Sequence, residues 1–132
     1  TKRQKVQVEL AIDDRLQLVT AADVWLQILT NLVLNSCHHA FAGIAQPKIS
    51  ISATFNAEQE FELCYCDNGV GMDDATKARV FEPFFTTKDV GKGTGLGLSL
   101  CHSIMLQHSG RIEVLSEPGL FSRFTLYFPL AG

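Results

Sequence analysis

No apolar run in this chain approaches the length of a bilayer-crossing helix, which excludes a helical membrane span within it. The first residues also lack the charged-then-apolar pattern of a secretory leader. Basic residues are scarce: 11 Lys and Arg stand against 14 Asp and Glu, for a net charge of −3. With the two signs interspersed, the electrostatic footprint of a nucleic-acid binder is missing. The four cysteines, Cys37, Cys64, Cys66 and Cys101, contain no Cys-x-x-Cys pair. They form neither a zinc signature nor an evident disulfide framework, and they read as buried or half-buried thiols of a reducing compartment. Internal repeats and low-complexity tracts are absent too. A cytoplasmic domain, with no nucleic-acid partner and no direct membrane contact of its own, is the expectation.

What is present suffices for one core. A length of 132 residues and a 46% hydrophobic fraction predict a single domain that buries roughly two-thirds of its unfolded surface. Lys5 to Ile12 alternates with Val6, Val8 and Leu10 on one face, and Arg15 to Val19 repeats the habit after Asp13-Asp14, which predicts two paired strands. Thr20 with Asp23 three residues on resembles a capping box, and it opens a helix reaching about Phe41, with Gly43 as its stop. Steps of about 100° per residue put Trp25, Leu29, Val33, Ser36 and Ala40 on one face of that helix and Asn31, Asn35 and His38 on the opposite stripe. Asparagine is a poor helix former, so two of them one turn apart ask for a reason.

Lys48 to Phe55 and Phe61 to Cys66 predict two more strands around a turn at Asn56 to Gln59. Phe61, Leu63 and Tyr65 share a face with Asp67, so the carboxylate is directed toward the core side, where it is costly without a partner. Gly69 and Gly71 permit a tight bend and a close approach of a flat ligand to the backbone. Asp73 to Val80 predicts a short helix, and FEPFFTTK, Phe81 to Lys88, opens an aperiodic stretch that reads as a mobile loop tethered by aromatics.

That loop ends in GKGTGLGLS, Gly91 to Ser99, where Leu96, Leu100, Ile104 and Met105 then recur at helical spacing to about Gln107. A glycine-rich loop running into a helix N-terminus offers unpaired N–H groups and a partial positive charge to a phosphate. The letters fit neither the P-loop, because Lys92 is followed by Gly93 and Thr86 stands at the upstream glycine position, nor the dinucleotide fingerprint. Gly110 breaks the helix, and Arg111 to Leu115 and Phe121 to Phe128 predict a closing strand pair across Glu117-Pro118-Gly119.

With paired asparagines on a helix, then DNGVGM, FEPFFTTK and GTGLGL in that order, the sequence resembles the catalytic ATP-binding domain of bacterial two-component sensor histidine kinases, of the Bergerat-fold superfamily. The resemblance covers essentially the whole chain. It implies an α/β two-layer sandwich: a mixed, mostly antiparallel sheet covered on one face by three helices, with ATP held between two helices beneath a flexible lid.

The resemblance implies roles residue by residue. Asn35 matches the asparagine that ligates Mg²⁺, a hard cation suited to an amide oxygen. Asn31 would lie near the phosphates, and His38 stands where many relatives carry a basic residue. Asp67 matches the acceptor of the adenine amino group, and guanine, presenting an oxygen there, would be disfavoured. Gly69, Gly71 and Met72 belong to the base-side segment. Gly93, Gly95 and Gly97, with Thr94 and Leu96 between them, match the phosphate-side loop, and Lys88 and Lys92 are candidates for the triphosphate charge. Phe81, Phe84 and Phe85 match the aromatic box, read as lid anchors or partner-domain contacts, with Phe84 counted also on the nucleotide side. Asn31, Asn35 and Lys88 are the candidate catalytic residues.

One departure from the wider superfamily discriminates. Hydrolytic members carry a glutamate where Asn31 stands, and an amide cannot act as a base toward water. The resemblance therefore implies Mg·ATP-dependent phosphorylation of a histidine on the dimerisation domain of the same protein, with relay to a response regulator, in a parent homodimer that is free to be anchored in an inner membrane. The acceptor histidine itself is expected elsewhere, because His38, His39, His102 and His108 all lie among these motifs and none has an acidic neighbour in sequence. The chain is thus expected to be a fragment whose phosphoacceptor domain is missing. Two alternatives stay open: a serine kinase of the same fold, of the anti-sigma type, and a degenerate nucleotide-binding or interaction module.

Overall fold

The computed structural model describes residues 6–12, 22–58, 60–83 and 97–129. Strands β1 (Gln7–Ile12), β2 (Lys48–Phe55), β3 (Glu60–Asp67), β4 (Arg111–Glu117) and β5 (Phe121–Pro129) form one sheet in the order β1-β2-β3-β5-β4. Among the described residues only the β1–β2 pairing is parallel, with Val8 opposite Ile49 and Leu10 opposite Ile51. The others are antiparallel, so the sheet is mixed and mostly antiparallel as expected. The expected partner of β1, Arg15 to Val19, lies outside the described residues, as does the Thr20 cap.

Period-two alternation sets the core face. Phe61, Leu63, Tyr65 and Asp67 of β3 are buried, as are Ser122, Phe124, Leu126 and Phe128 of β5. Helices α1 (Ala22–Asn35) and α3 (Gly97–Gln107) cover that face. Trp25 anchors α1, its ring meeting Phe61 edge-on at 4.9 Å and Phe128 at 4.5 Å. Aromatic contacts of this kind add to the burial of large rings. The third helix, α2 (Asp74–Arg79), has no buried residue. Asp73 caps it by accepting from the Thr76 N–H at 2.8 Å, and Lys77 ties it to the Ser116 carbonyl at 3.3 Å. Phe81, just beyond it, stacks on His102 and meets Phe124 edge-on.

Two helix faces differ from expectation. The buried stripe of α1 is Trp25, Ile28 and Leu32, continued by Ser36 just past its end, with Leu29 and Val33 only half-buried. Gln27, Thr30 and Leu34 form the solvent stripe, and Asn31 and Asn35 flank the core rather than opposing it. In α3 the buried positions are Leu98, Cys101, Ile104 and Met105, whereas Leu100 is exposed. Apolar residues occur all round α3, so spacing alone could not select its face. Cys37 is exposed, against the expectation of a buried or half-buried thiol, while Cys64 and Cys66 are half-buried and Cys101 is fully buried.

After Asn35 the helix widens into one π-helical turn, Ser36–Ala40, closed by the Phe41 N–H on the Ser36 carbonyl at 3.0 Å. Gly43, at φ +75°, then turns the chain away. At the far end of α3, Ser109 occupies the left-handed region at φ +61°. Its N–H bonds the Leu106 carbonyl, and the Gly110 N–H bonds that of Met105 at 2.8 Å, the pairing of a Schellman cap with serine in the glycine position.

Candidate functional site

Asp67 ends β3 with its side chain 1% exposed. Burial pushes its pKa above the ordinary aspartate value, while Ser36, the Gly69 N–H and the Ser122 N–H hold it back down. The Ser36 hydroxyl donates to Oδ2 at 2.7 Å and the Gly69 N–H donates to Oδ1 at 3.0 Å. An ionised carboxylate accepts about four hydrogen bonds, so these contacts leave it acceptor capacity.

Ser36 arrives from the π-helical turn and is itself held. Its Oγ lies 2.8 Å from the Tyr65 hydroxyl, which also contacts the Leu32 carbonyl at 3.2 Å. Ser36 and Tyr65 are both wholly buried, and desolvation raises the tyrosine pKa far from neutrality, so its hydroxyl stays protonated. Neither residue is prominent in the sequence as a site residue. The available signal was a serine on an apolar helix face and a carboxylate aimed at the core that needed a donor.

The segment after Asp67 is strapped on both sides. Asn68 accepts from the Lys48 N–H and donates to the Gln46 carbonyl, the Val70 N–H bonds the Ala40 carbonyl at 2.8 Å, and the Met72 N–H bonds the Ser116 hydroxyl at 2.8 Å. The two glycines answer to this packing. A Cβ at Gly69 would stand 2.4 Å from that of Ala40, and one at Gly71, where φ is +71°, would stand 2.1 Å from the Glu117 carbonyl oxygen. Their first requirement is therefore close backbone packing, beside any role toward a flat ligand. Gly97 differs. A Cβ there would meet only Asn31, at an ordinary 3.9 Å, so packing among the described residues does not demand a glycine.

Asn31 thus sits where α1 faces the first turn of α3. Its Nδ2 is buried with no hydrogen-bond partner among the described residues. The Cys101 thiol is close enough for Asn31 to lower its pKa, which burial raises to about 11, but the contact falls short of hydrogen-bond geometry. An orphaned buried donor costs roughly 1–3 kcal/mol unless something accepts from it. Asn35 is half-buried and adjacent to Ser36, and His38 is exposed one turn on. The arrangement brings Asp67 and Gly69 together at one end and Asn31 and Gly97 together at the other. Phe84, Phe85, Lys88, Lys92, Gly93, Thr94, Gly95 and Leu96 lie outside the described residues.

Comparison with known proteins decides the family. Residues 20–132 match the family described as histidine kinase-, DNA gyrase B-, and HSP90-like ATPase. The chain belongs to that family. A putative sensor protein of Shewanella frigidimarina is 42% identical over 105 residues, covering 80% of this chain and 16% of that protein. The signal transduction histidine-protein kinase AtoS of Escherichia coli is 36% identical over 120 residues, covering 90% and 19%. The chain therefore spans less than a fifth of these two relatives. Among solved structures, the nucleotide-free catalytic domain of histidine kinase ThkA superposes with a TM-score of 0.77 at 28% identity, covering 94% of this chain and 80% of that one. Full-length ShkA in complex with AMPPNP superposes at 0.78 and 25% identity, covering 96% and 26%. The fold is that of histidine-kinase ATPase domains. Among the described residues no helix is long and apolar enough to cross a membrane.

Proposed function

We propose that this domain binds Mg·ATP and, within its parent protein, donates the γ-phosphoryl group to a histidine of the dimerisation domain, from which an aspartate of a response regulator takes it. The observation that carries this reading is Asp67: a buried carboxylate, oriented by Ser36 and Gly69, with acceptor capacity left over. An adenine amino group would supply the missing donor, and a guanine oxygen would oppose it. Binding of AMPPNP by ShkA, a protein of the same fold, accords with this assignment.

The other end of the site suits phosphate. The orphaned Asn31 Nδ2 is a donor awaiting an acceptor, and Gly97, not required by packing against α1, leaves the first turn of α3 open to close approach. Asn35 supplies a half-buried amide oxygen for Mg²⁺, which when bound neutralises phosphate charge. Lys88, Lys92 and the Gly93 to Leu96 loop complete the phosphate side through the resemblance alone. With an amide at position 31 in place of a carboxylate base, the site orients a phosphoryl group without activating water. Partners follow: the dimerisation domain of the same chain, and a response regulator.

The test is transfer in trans. With a supplied dimerisation domain and radiolabelled ATP, the wild-type domain should label the acceptor histidine in the presence of Mg²⁺, and Asn35→Ala should abolish the label. Undiminished transfer by that variant would remove Asn35 from its role. Labelling of serine would hand the reading to the serine-kinase alternative.

A further inference from the structure

Ser36 joins two groups that need each other. Between the Leu32 carbonyl and the Asp67 carboxylate run two hydroxyls in series, Tyr65 and Ser36, spaced 3.2, 2.8 and 2.7 Å along the chain. Each hydroxyl has one proton, so the chain has two consistent directions. When Asp67 is ionised it can only accept: Ser36 donates to it, and Tyr65 donates to Ser36. When the group at 67 is a donor, the order reverses, and Tyr65 ends on the Leu32 carbonyl. Asp67, Tyr65 and Ser36 are all buried.

We propose that Ser36, held by Tyr65, is a positioning residue for base recognition, fixing Asp67 as an oriented acceptor and so setting the preference for adenine over purines lacking an amino group. This rests on the ATP-binding reading above. A carboxylate free to rotate about its Cα–Cβ and Cβ–Cγ bonds presents its spare lone pair over a range of directions. Pinned on Oδ2 by Ser36 and on Oδ1 by the Gly69 N–H, it presents that lone pair along one. The direction of the hydroxyl chain couples orientation to charge, since the donors that pin Asp67 also favour its ionised form.

The experiment is calorimetric titration, in Mg²⁺, of the wild-type domain and of Ser36→Ala and Tyr65→Phe, each with ATP and with purine riboside triphosphate, which lacks the 6-amino group. Thermal unfolding of each variant runs in parallel. Ser36→Ala should bind ATP about tenfold more weakly and leave binding of the deaminated analogue within twofold. Tyr65→Phe, which keeps the ring and removes the hydroxyl that orients Ser36 and contacts the Leu32 carbonyl, should show the same ATP-specific loss at about threefold, and it carries the test if Ser36→Ala fails to fold. Equal loss for both nucleotides would mean that Ser36 acts through packing and would overturn the proposal, as would undiminished ATP binding in both variants. Failure of the wild-type domain to bind either nucleotide would instead strike the ATP reading itself.

Discussion

Asp67→Asn separates what the carboxylate does for recognition from what it does for the fold. Asparagine keeps an acceptor oxygen for the Gly69 N–H, and its amide can donate to Ser36, because the Ser36–Tyr65 chain can reverse onto the Leu32 carbonyl. The Ser36 and Gly69 contacts are both kept, and only the Ser122 N–H loses the charge of the carboxylate it faces, so stability at neutral pH should change by no more than about 1 kcal/mol, or roughly 3 °C in Tm for a domain of this size. The pH dependence is the sharper readout. Folding raises the Asp67 pKa above the ordinary 3.8, mainly by burial. Between 3.8 and the raised value the folded state therefore holds more protons than the unfolded one, and wild-type stability from this group is present below that window and lost as pH rises through it. Asparagine has no such slope. Chemical denaturation of both proteins from pH 4 to pH 7, followed by the fluorescence of the sole tryptophan, Trp25, should show the difference moving in favour of the variant as pH rises. A difference independent of pH would mean that folding leaves the carboxyl pKa unshifted, and one moving toward the wild type that the charged carboxylate is the better-accommodated form; either would refute the burial argument. A variant that does not fold would refute the reversible hydroxyl chain.

Two further predictions concern the backbone that frames the site. Ser109→Gly should stabilise the domain by about 1 kcal/mol, because serine holds the left-handed position of the α3 cap at φ +61°, a region glycine enters without steric cost; an unchanged or lower thermal midpoint would count against that cap. Gly71→Ala should destabilise by about 3 kcal/mol or more, since it combines a φ of +71° with a Cβ 2.1 Å from the Glu117 carbonyl, and a thermal midpoint equal to wild type would show that the segment adapts.

Strand alternation was the most legible layer. Phe61, Leu63, Tyr65 and Asp67 read as one inward face, and all four are buried. The β4–β5 hairpin was legible from Glu117-Pro118-Gly119, where Gly119 adopts φ +80°. Helix faces were harder to read. Periodicity sets the face of α1 a fraction of a turn from the observed one, so Asn31 reads as solvent-facing although it lies at the α1–α3 junction, and α3 is apolar on too many sides for periodicity to choose between Leu100 and Cys101. The π-helical turn at Ser36–Ala40 leaves no pattern in SCHHA, and its hydrogen bonds to residues 29 and 31 positions away are non-local by nature. The reason for Gly69 and Gly71 was only partly legible, because the groups that exclude a side chain there, Ala40 and Glu117, are distant in sequence.

The central claim is an adenine pocket built on Asp67. Its most direct test is calorimetric titration of the purified wild-type domain with ATP and with GTP in Mg²⁺. The account predicts saturable ATP binding and GTP binding weaker by about tenfold or more, the loss of a charge-assisted hydrogen bond of roughly 1.5–3 kcal/mol. Equal affinities for the two nucleotides, or a folded domain that binds neither, would contradict it.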